Sequence, residues 1–177
     1  MCGTIYTQEA TTVLQATFSS SVVGTVEVRR SATESASAGA VILTSLKSAS
    51  HSDTRAAGWK VGNDVCPAVH PDSVVGFDTR TSPVYPFTAD GLSLSNELCT
   101  HPDTDADDLH ALCATGDLTT KHGKVSVASV DAATPATAAY TDISVSLHPG
   151  DHGILGRSLW IEFDDGETAC ADLTAGM

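Results

Sequence analysis

Basic residues are scarce: 9 Lys and Arg stand against 22 Asp and Glu, a formal net charge of −13. A phosphate backbone or an anionic bilayer is bound through a basic face that releases counterions, so neither nucleic acid nor an acidic membrane surface is an expected partner. Small anionic substrates would also meet a repulsive field at long range unless a local positive funnel existed. No run of about 20 apolar residues is present, so no membrane insertion is expected. The opening stretch MCGTIYTQEATTV lacks the basic segment and apolar run of a signal peptide. The chain is therefore read either as cytosolic or as a mature or excised portion of a secreted protein. There is no N-x-S/T sequon to decide between them. No CxxC pair occurs, which argues against a zinc knuckle. No GxSxG elbow accompanies the many serines, so a Ser/His/Asp triad has no support. Internal repeats are absent too.

What is present is a pattern of period two. The chain has 177 residues, 41% of them hydrophobic, enough for one domain over 1–177 with a core that needs no metal to hold it. Eight strand-like runs stand at 11–18, 22–30, 38–47, 57–62, 124–130, 138–148, 153–163 and 167–173, with turn residues between them. Val26 and Val28 share one face of their run, with Thr25, Glu27 and Arg29 on the other. Ile143, Val145 and Leu147 alternate, as do Leu159, Ile161 and Phe163, which leaves Trp160 and Glu162 on the opposite side. The expected fold is all-β: an eight-stranded Greek-key barrel or sandwich with its core over 11–173. One helical turn is conceivable at 105–113. Residues 63–120 hold most of the prolines and three of the five cysteines but little periodicity, as expected of a long functional or stapled loop region. Of the cysteines, Cys66, Cys99, Cys113 and Cys170 lie in or beside loops where two bridges could form, leaving Cys2 odd. Such usage points to an oxidising compartment, hence an extracellular or secretory-pathway location.

Several motifs in a fixed order carry a resemblance. GDLTTKHGKV (116–125) looks like a GDLSGKHG segment, and DHGILGRSLWIEFDDGETACADL (151–173) looks like a closing hairpin of the form GRslvvH…RxACa. HPDSVVGFDTRTSP (70–83) is a weaker third piece. Together they resemble the copper/zinc superoxide dismutase family, most nearly its extracellular copper-only branch and the superoxide dismutase repeat proteins. The resemblance implies four copper-ligand positions, which fall here at Lys60, Gly62, His70 and Glu162. An ammonium has no free lone pair near neutral pH, and one histidine of four cannot hold copper as a redox site requires. The position of the substrate-guiding arginine becomes Glu167. At about 4 Å and an effective dielectric of about 20 a charge pair is worth roughly 4 kcal/mol, so switching attraction to repulsion would suppress anion binding strongly. Asp117 occupies a former zinc-ligand position without accompanying histidines. The resemblance also implies bridges Cys66–Cys170 and Cys99–Cys113.

The resulting expectation is a non-catalytic member with no cofactor, serving as a structural or protein-interaction module. Its partner would be another protein or repeats of the same chain, with the oligomeric state open. The alternatives are a copper-, zinc- or calcium-binding protein without dismutase activity, or a residual copper-only dismutase. The donor-rich stretch 101–110 (His101, Asp103, Asp105, Asp107, Asp108, His110) lacks the glycine and glutamate of an EF-hand loop and reads as solvated. His122, His148, His152 and Arg157 read as structural hydrogen-bonding groups. Trp160 is read two ways, as an exposed interface anchor or as a ring covered by the 63–120 region.

Overall fold

The computed structural model describes residues 11–31, 39–62, 65–66, 113, 115–147 and 153–176. Strand β1 is Thr11–Ser19, β2 Val22–Ser31, β3 Ala40–Ser48 and β4 Arg55–Val61. A short helix α1, Leu118–His122, precedes β5 (Val125–Val127) and β6 (Ala136–Asp142). The chain closes with β7 (Ser158–Glu162), β8 (Thr168–Asp172) and β9 (Thr174–Ala175). Two antiparallel sheets result, ordered β6-β3-β2-β1-β9 and β5-β4-β7-β8. The all-β reading holds, with nine strands among the described residues rather than eight, the ninth being only Thr174–Ala175.

Alternation decides the core. Leu14, Ala16 and Phe18 of β1, Val26 and Val28 of β2, and Ile42 and Leu46 of β3 all turn inward. They meet Trp59 and Val61 of β4, Val125 and Val127 of β5, and Leu159 and Ile161 of β7. Because side chains alternate across a strand, one slip in register would invert every one of these positions. The sheets are joined along one seam by a bridge between Lys47 and Ala128, with Ser48 N–H donating to Ala128 O at 2.8 Å. At the other end of the barrel the chain changes sheet within a single residue. β8 pairs with β7, β9 pairs with β1, and only the fully buried Leu173 stands between them.

One glycine is demanded by close approach. Gly24, in mid-strand with φ +128°, would put a Cβ 2.0 Å from Ser45 O, so no side chain fits there.

Three local expectations change. The run 138–148 does not continue as a strand, because the Asp142 carboxylate accepts the Ser144 and Val145 N–H groups at 2.8 and 3.2 Å and turns the chain. Ile143 is consequently 51% exposed, while Val145 and Leu147 are buried. The run 153–163 becomes a strand only from Ser158, after a turn containing Gly156 at φ +76°. The helix lies at Leu118–His122, where Asp117 caps it by accepting the Thr120 N–H at 3.0 Å. The turn proposed at 105–113 lies outside the described residues except for Cys113.

Cys113 is disulfide-bonded, and its expected partner Cys99 lies outside the described residues. The Cys66–Cys170 bridge is present, with a sequence separation of 104 residues. In the chain-entropy model a loop of this length contributes about 4–5 kcal/mol by restricting the unfolded state. The double substitution Cys66→Ser with Cys170→Ser should lower the unfolding free energy by about that amount, measured by denaturant titration.

Candidate functional site

The outward face of the β4–β7 pair is where sequence reading concentrates its interest. Gly58 stands opposite Glu162, and Lys60 opposite Trp160, so Lys60 and Glu162 are diagonal neighbours on one face. Their side chains meet: Lys60 Nζ lies 2.7 Å from Glu162 Oε1, with 24% and 33% of the respective side chains exposed. α1 lies close against this strand: a Cβ at Gly58 would be in contact with Thr119 Oγ1 at 3.4 Å. Thr119 Oγ1 accepts the Trp59 N–H at 2.6 Å and donates to Trp59 O at 2.8 Å, stapling helix to strand.

A shallow open cleft of about 390 Å³ runs along this face, lined by Gly58, Lys60, Asp117, Thr119, Lys124, Glu162, Phe163 and Asp164. Its charges are engaged with neighbours. Lys124 Nζ is held by both carboxylate oxygens of Asp164 at 2.6 and 2.7 Å. Asp117, which the resemblance places at a zinc-ligand position, is occupied by its cap, its second oxygen accepting the Thr120 hydroxyl at 2.7 Å. Gly62 offers only a backbone N–H, bonded to Ser158 O at 2.8 Å. His70 lies outside the described residues, as do His148, His152 and the 101–110 stretch. Among the described residues no group of three His, Cys, Asp or Glu side chains is placed to hold a metal ion.

Glu167 belongs to a different cluster. The closing hairpin turns at Gly166, and the Glu167 carboxylate reaches Arg55 and, at 2.9 Å, His51 Nε2. Arg55 also binds Asp165 at 2.6 Å and lies 3.8 Å over the Phe163 ring. The Glu167 backbone N–H, together with Arg55, holds the Asp165 carboxyl below its ordinary value. The Glu167 carboxylate is thus engaged by Arg55 and His51, a cluster separate from the Lys60–Glu162 pair.

Beneath α1 lies a polar network that joins Lys121 and His122 of the GDLTTKHGKV stretch to Asp142, a residue the sequence reading did not single out. The Lys121 and Asp142 side chains have no exposed surface, and Lys121 Nζ stands 2.6 Å from Asp142 Oδ2. The other two ammonium protons go to Thr115 O at 2.8 Å and Ser144 Oγ at 2.9 Å. His122 Nε2 reaches the same Asp142 oxygen at 3.0 Å, and its ring packs against both Trp59 and Tyr140, which also touch each other. Burial alone would raise the Asp142 pKa; His122 and Lys121 outweigh it and hold the carboxyl well below the usual carboxylate range. Burial pulls Lys121 below the ordinary lysine value. The hydrogen-bonding role read for His122 is thereby seen, and Arg157 likewise donates to Gly153 O at 2.5 Å.

Trp160 needs correction as an exposed anchor. It is 4% exposed, stands directly across from the bridged Cys170, and donates its indole N–H to the buried Ser158 Oγ at 2.8 Å. No apolar surface of this ring is offered to a partner.

The geometry can be set beside known proteins. No family model matches the sequence, and no curated protein does. Among solved structures, superoxide dismutase 5 of Candida albicans in its Cu(II) form matches with a TM-score of 0.56 at 16% identity, over 96% of this chain and 94% of that one. A single-residue variant of the same enzyme matches with a TM-score of 0.54 at 18% identity, over 96% and 91%. The fold is that of a superoxide dismutase. At this identity the likeness is one of fold. Within the superoxide dismutase fold, Lys60 and Glu162 sit on the adjacent strands β4 and β7, and the Cys66–Cys170 bridge ties residue 66 to β8.

The buried pair generates a pH-dependent expectation. Removing one partner strands a buried charge, so Asp142→Asn should cost about 3–5 kcal/mol near neutral pH. A carboxyl whose folded pKa is depressed contributes stability above its unfolded pKa, and loses it as pH falls toward the folded value. The gap between wild type and Asp142→Asn should therefore be full above about pH 5 and shrink under acid conditions, as read by denaturant titration at several pH values.

Proposed function

We propose that this chain is a non-catalytic superoxide dismutase-like domain, a structural or protein-interaction module of an oxidising, extracytosolic compartment. The observation that carries the reading is the Lys60–Glu162 ion pair at 2.7 Å. Two positions that the family resemblance assigns to copper imidazoles hold side chains of opposite charge that satisfy each other. A copper centre that cycles between oxidation states draws on neutral nitrogen or sulfur donors. An ammonium supplies no lone pair, a glycine no side chain, and a carboxylate already paired with a lysine is a poor competitor for the ion. The residues at Lys60, Gly62 and Glu162 do not fit copper. Asp117 is engaged as a helix cap, which gives that residue a structural reason to stand there without zinc. Glu167, at the position of the substrate-guiding arginine, is a carboxylate bound to Arg55. A disulfide such as Cys66–Cys170 is at home in an oxidising compartment, and supports that placement.

The test is elemental. The purified chain is incubated separately with Cu(II) and Zn(II), dialysed and analysed for metal, with superoxide turnover measured alongside. Metal at background with no turnover is the expected result; stoichiometric copper with rapid turnover overturns the reading. A second measurement addresses the pair itself. A double-mutant cycle on Lys60→Ala and Glu162→Ala should give a coupling of about 0.5 kcal/mol that fades in high salt, the behaviour of a half-exposed ion pair.

A further inference from the structure

The outer face of the five-stranded sheet differs from the rest of this acidic chain. On the four long strands β1, β2, β3 and β6, the outward residues include only three ionised side chains: Glu27, Arg29 and Lys47. That is one carboxylate against two cations, on a chain of net charge −13. Lys47 folds back to donate to Ala132 O at 2.7 Å. Around them stand hydroxyl and apolar residues. Val23 and Val41 are 36% and 40% exposed, two of the four large hydrophobic side chains that face solvent among the described residues. By contrast the hairpin closing the other sheet carries Glu162, Asp164, Asp165 and Asp172.

We propose that this face is the interface for a second copy of the chain, packed sheet against sheet about a two-fold axis. Charge selects the occupant. Two bodies of the same strong negative charge can approach closely only through a surface that does not share it, and this face carries none of the excess. Charge also fits the face to itself. Glu27 and Arg29 are two residues apart on β2 and point the same way, with Arg29 Nε 2.8 Å from Glu27 Oε2 and the two side chains 26% and 49% exposed. A two-fold axis crossing β2 at Val28 lays Glu27 over the partner's Arg29 and Arg29 over the partner's Glu27, the self-complementarity an isologous contact requires. Size is sufficient. Four strands about 4.8 Å apart and about nine residues long present roughly 570 Å² per copy, or about 1,100 Å² in all. That reaches the lower limit of about 1,000 Å² for a specific interface and describes a weak dimer. The inference stands independently of any reading of the Lys60–Glu162 site.

Sedimentation velocity on the full chain, from low to high micromolar concentration, tests it. A reversible monomer–dimer equilibrium is expected. Arg29→Glu and Glu27→Arg each place like charges opposite one another across the axis and should weaken the dimer at least about tenfold. The double exchange, Glu27→Arg with Arg29→Glu, restores opposite pairing and should recover it. Val41→Glu, a change at an exposed site, should abolish association while the circular dichroism spectrum stays that of the parent. A monomer at every concentration, or a dimer indifferent to Arg29→Glu and Val41→Glu, overturns the proposal.

Discussion

An ammonium and a carboxylate with no solvent contact can coexist in a protein interior only if every lone pair and proton finds a partner, and the Lys121–Asp142 pair meets that condition. Lys121 uses its three protons on Asp142, Thr115 O and Ser144 Oγ. Asp142 collects His122 and Lys121 on one oxygen, and Ser144 and Val145 on the other. The residues so joined belong to α1, to the segment before it and to the end of β6. Removing the network would leave α1 held by the Thr119 clasp on Trp59 and the Trp59 indole bond to Gly123 O. Since α1 forms one wall of the cleft beside Lys60 and Glu162, the cleft's shape depends on a charge pair buried behind it.

The same economy governs the surface. Lys60, Lys124, Arg55 and Arg29 each stand against a carboxylate of this chain. In a chain with 9 basic and 22 acidic residues cations are scarce, and each of these four already has a carboxylate of its own chain beside it. The consequence is electrostatic: among the described residues, Lys60 and Lys124 at the β4–β7 face each have their charge offset by a neighbouring carboxylate.

Much of the architecture was legible because it rests on period two, a signal any half-buried strand must carry. Val26, Val28, Leu159, Ile161 and Phe163 face inward as alternation requires. Legibility failed where a side chain competes with the backbone. ISVSL alternates as cleanly as any strand, yet Asp142 captures the amides that would have continued the ladder, and Ile143 is left exposed. The five-residue α1 is too short for helical periodicity to register, and its sign was the capping residue, Asp117. At the site, Lys60 and Glu162 were visible one by one, as residues the resemblance singled out. That they neutralise each other follows from the β4–β7 register, which no single-strand pattern contains. Lys121 and Asp142 are far apart along the chain, and nothing local marks them as a pair.

The path of the last strands has a consequence for how the chain comes to be folded. β8 completes one sheet and β9, one residue later, docks beside β1 in the other. The earliest of these strands therefore waits for the latest as its edge neighbour, and Cys66 waits for Cys170. Neither sheet gains its final edge until β8 and β9, at Thr168–Asp172 and Thr174–Ala175, have been made. Contacts of such long sequence separation make folding slow. Closure of both sheets thus falls to one short stretch of chain, residues 168–175.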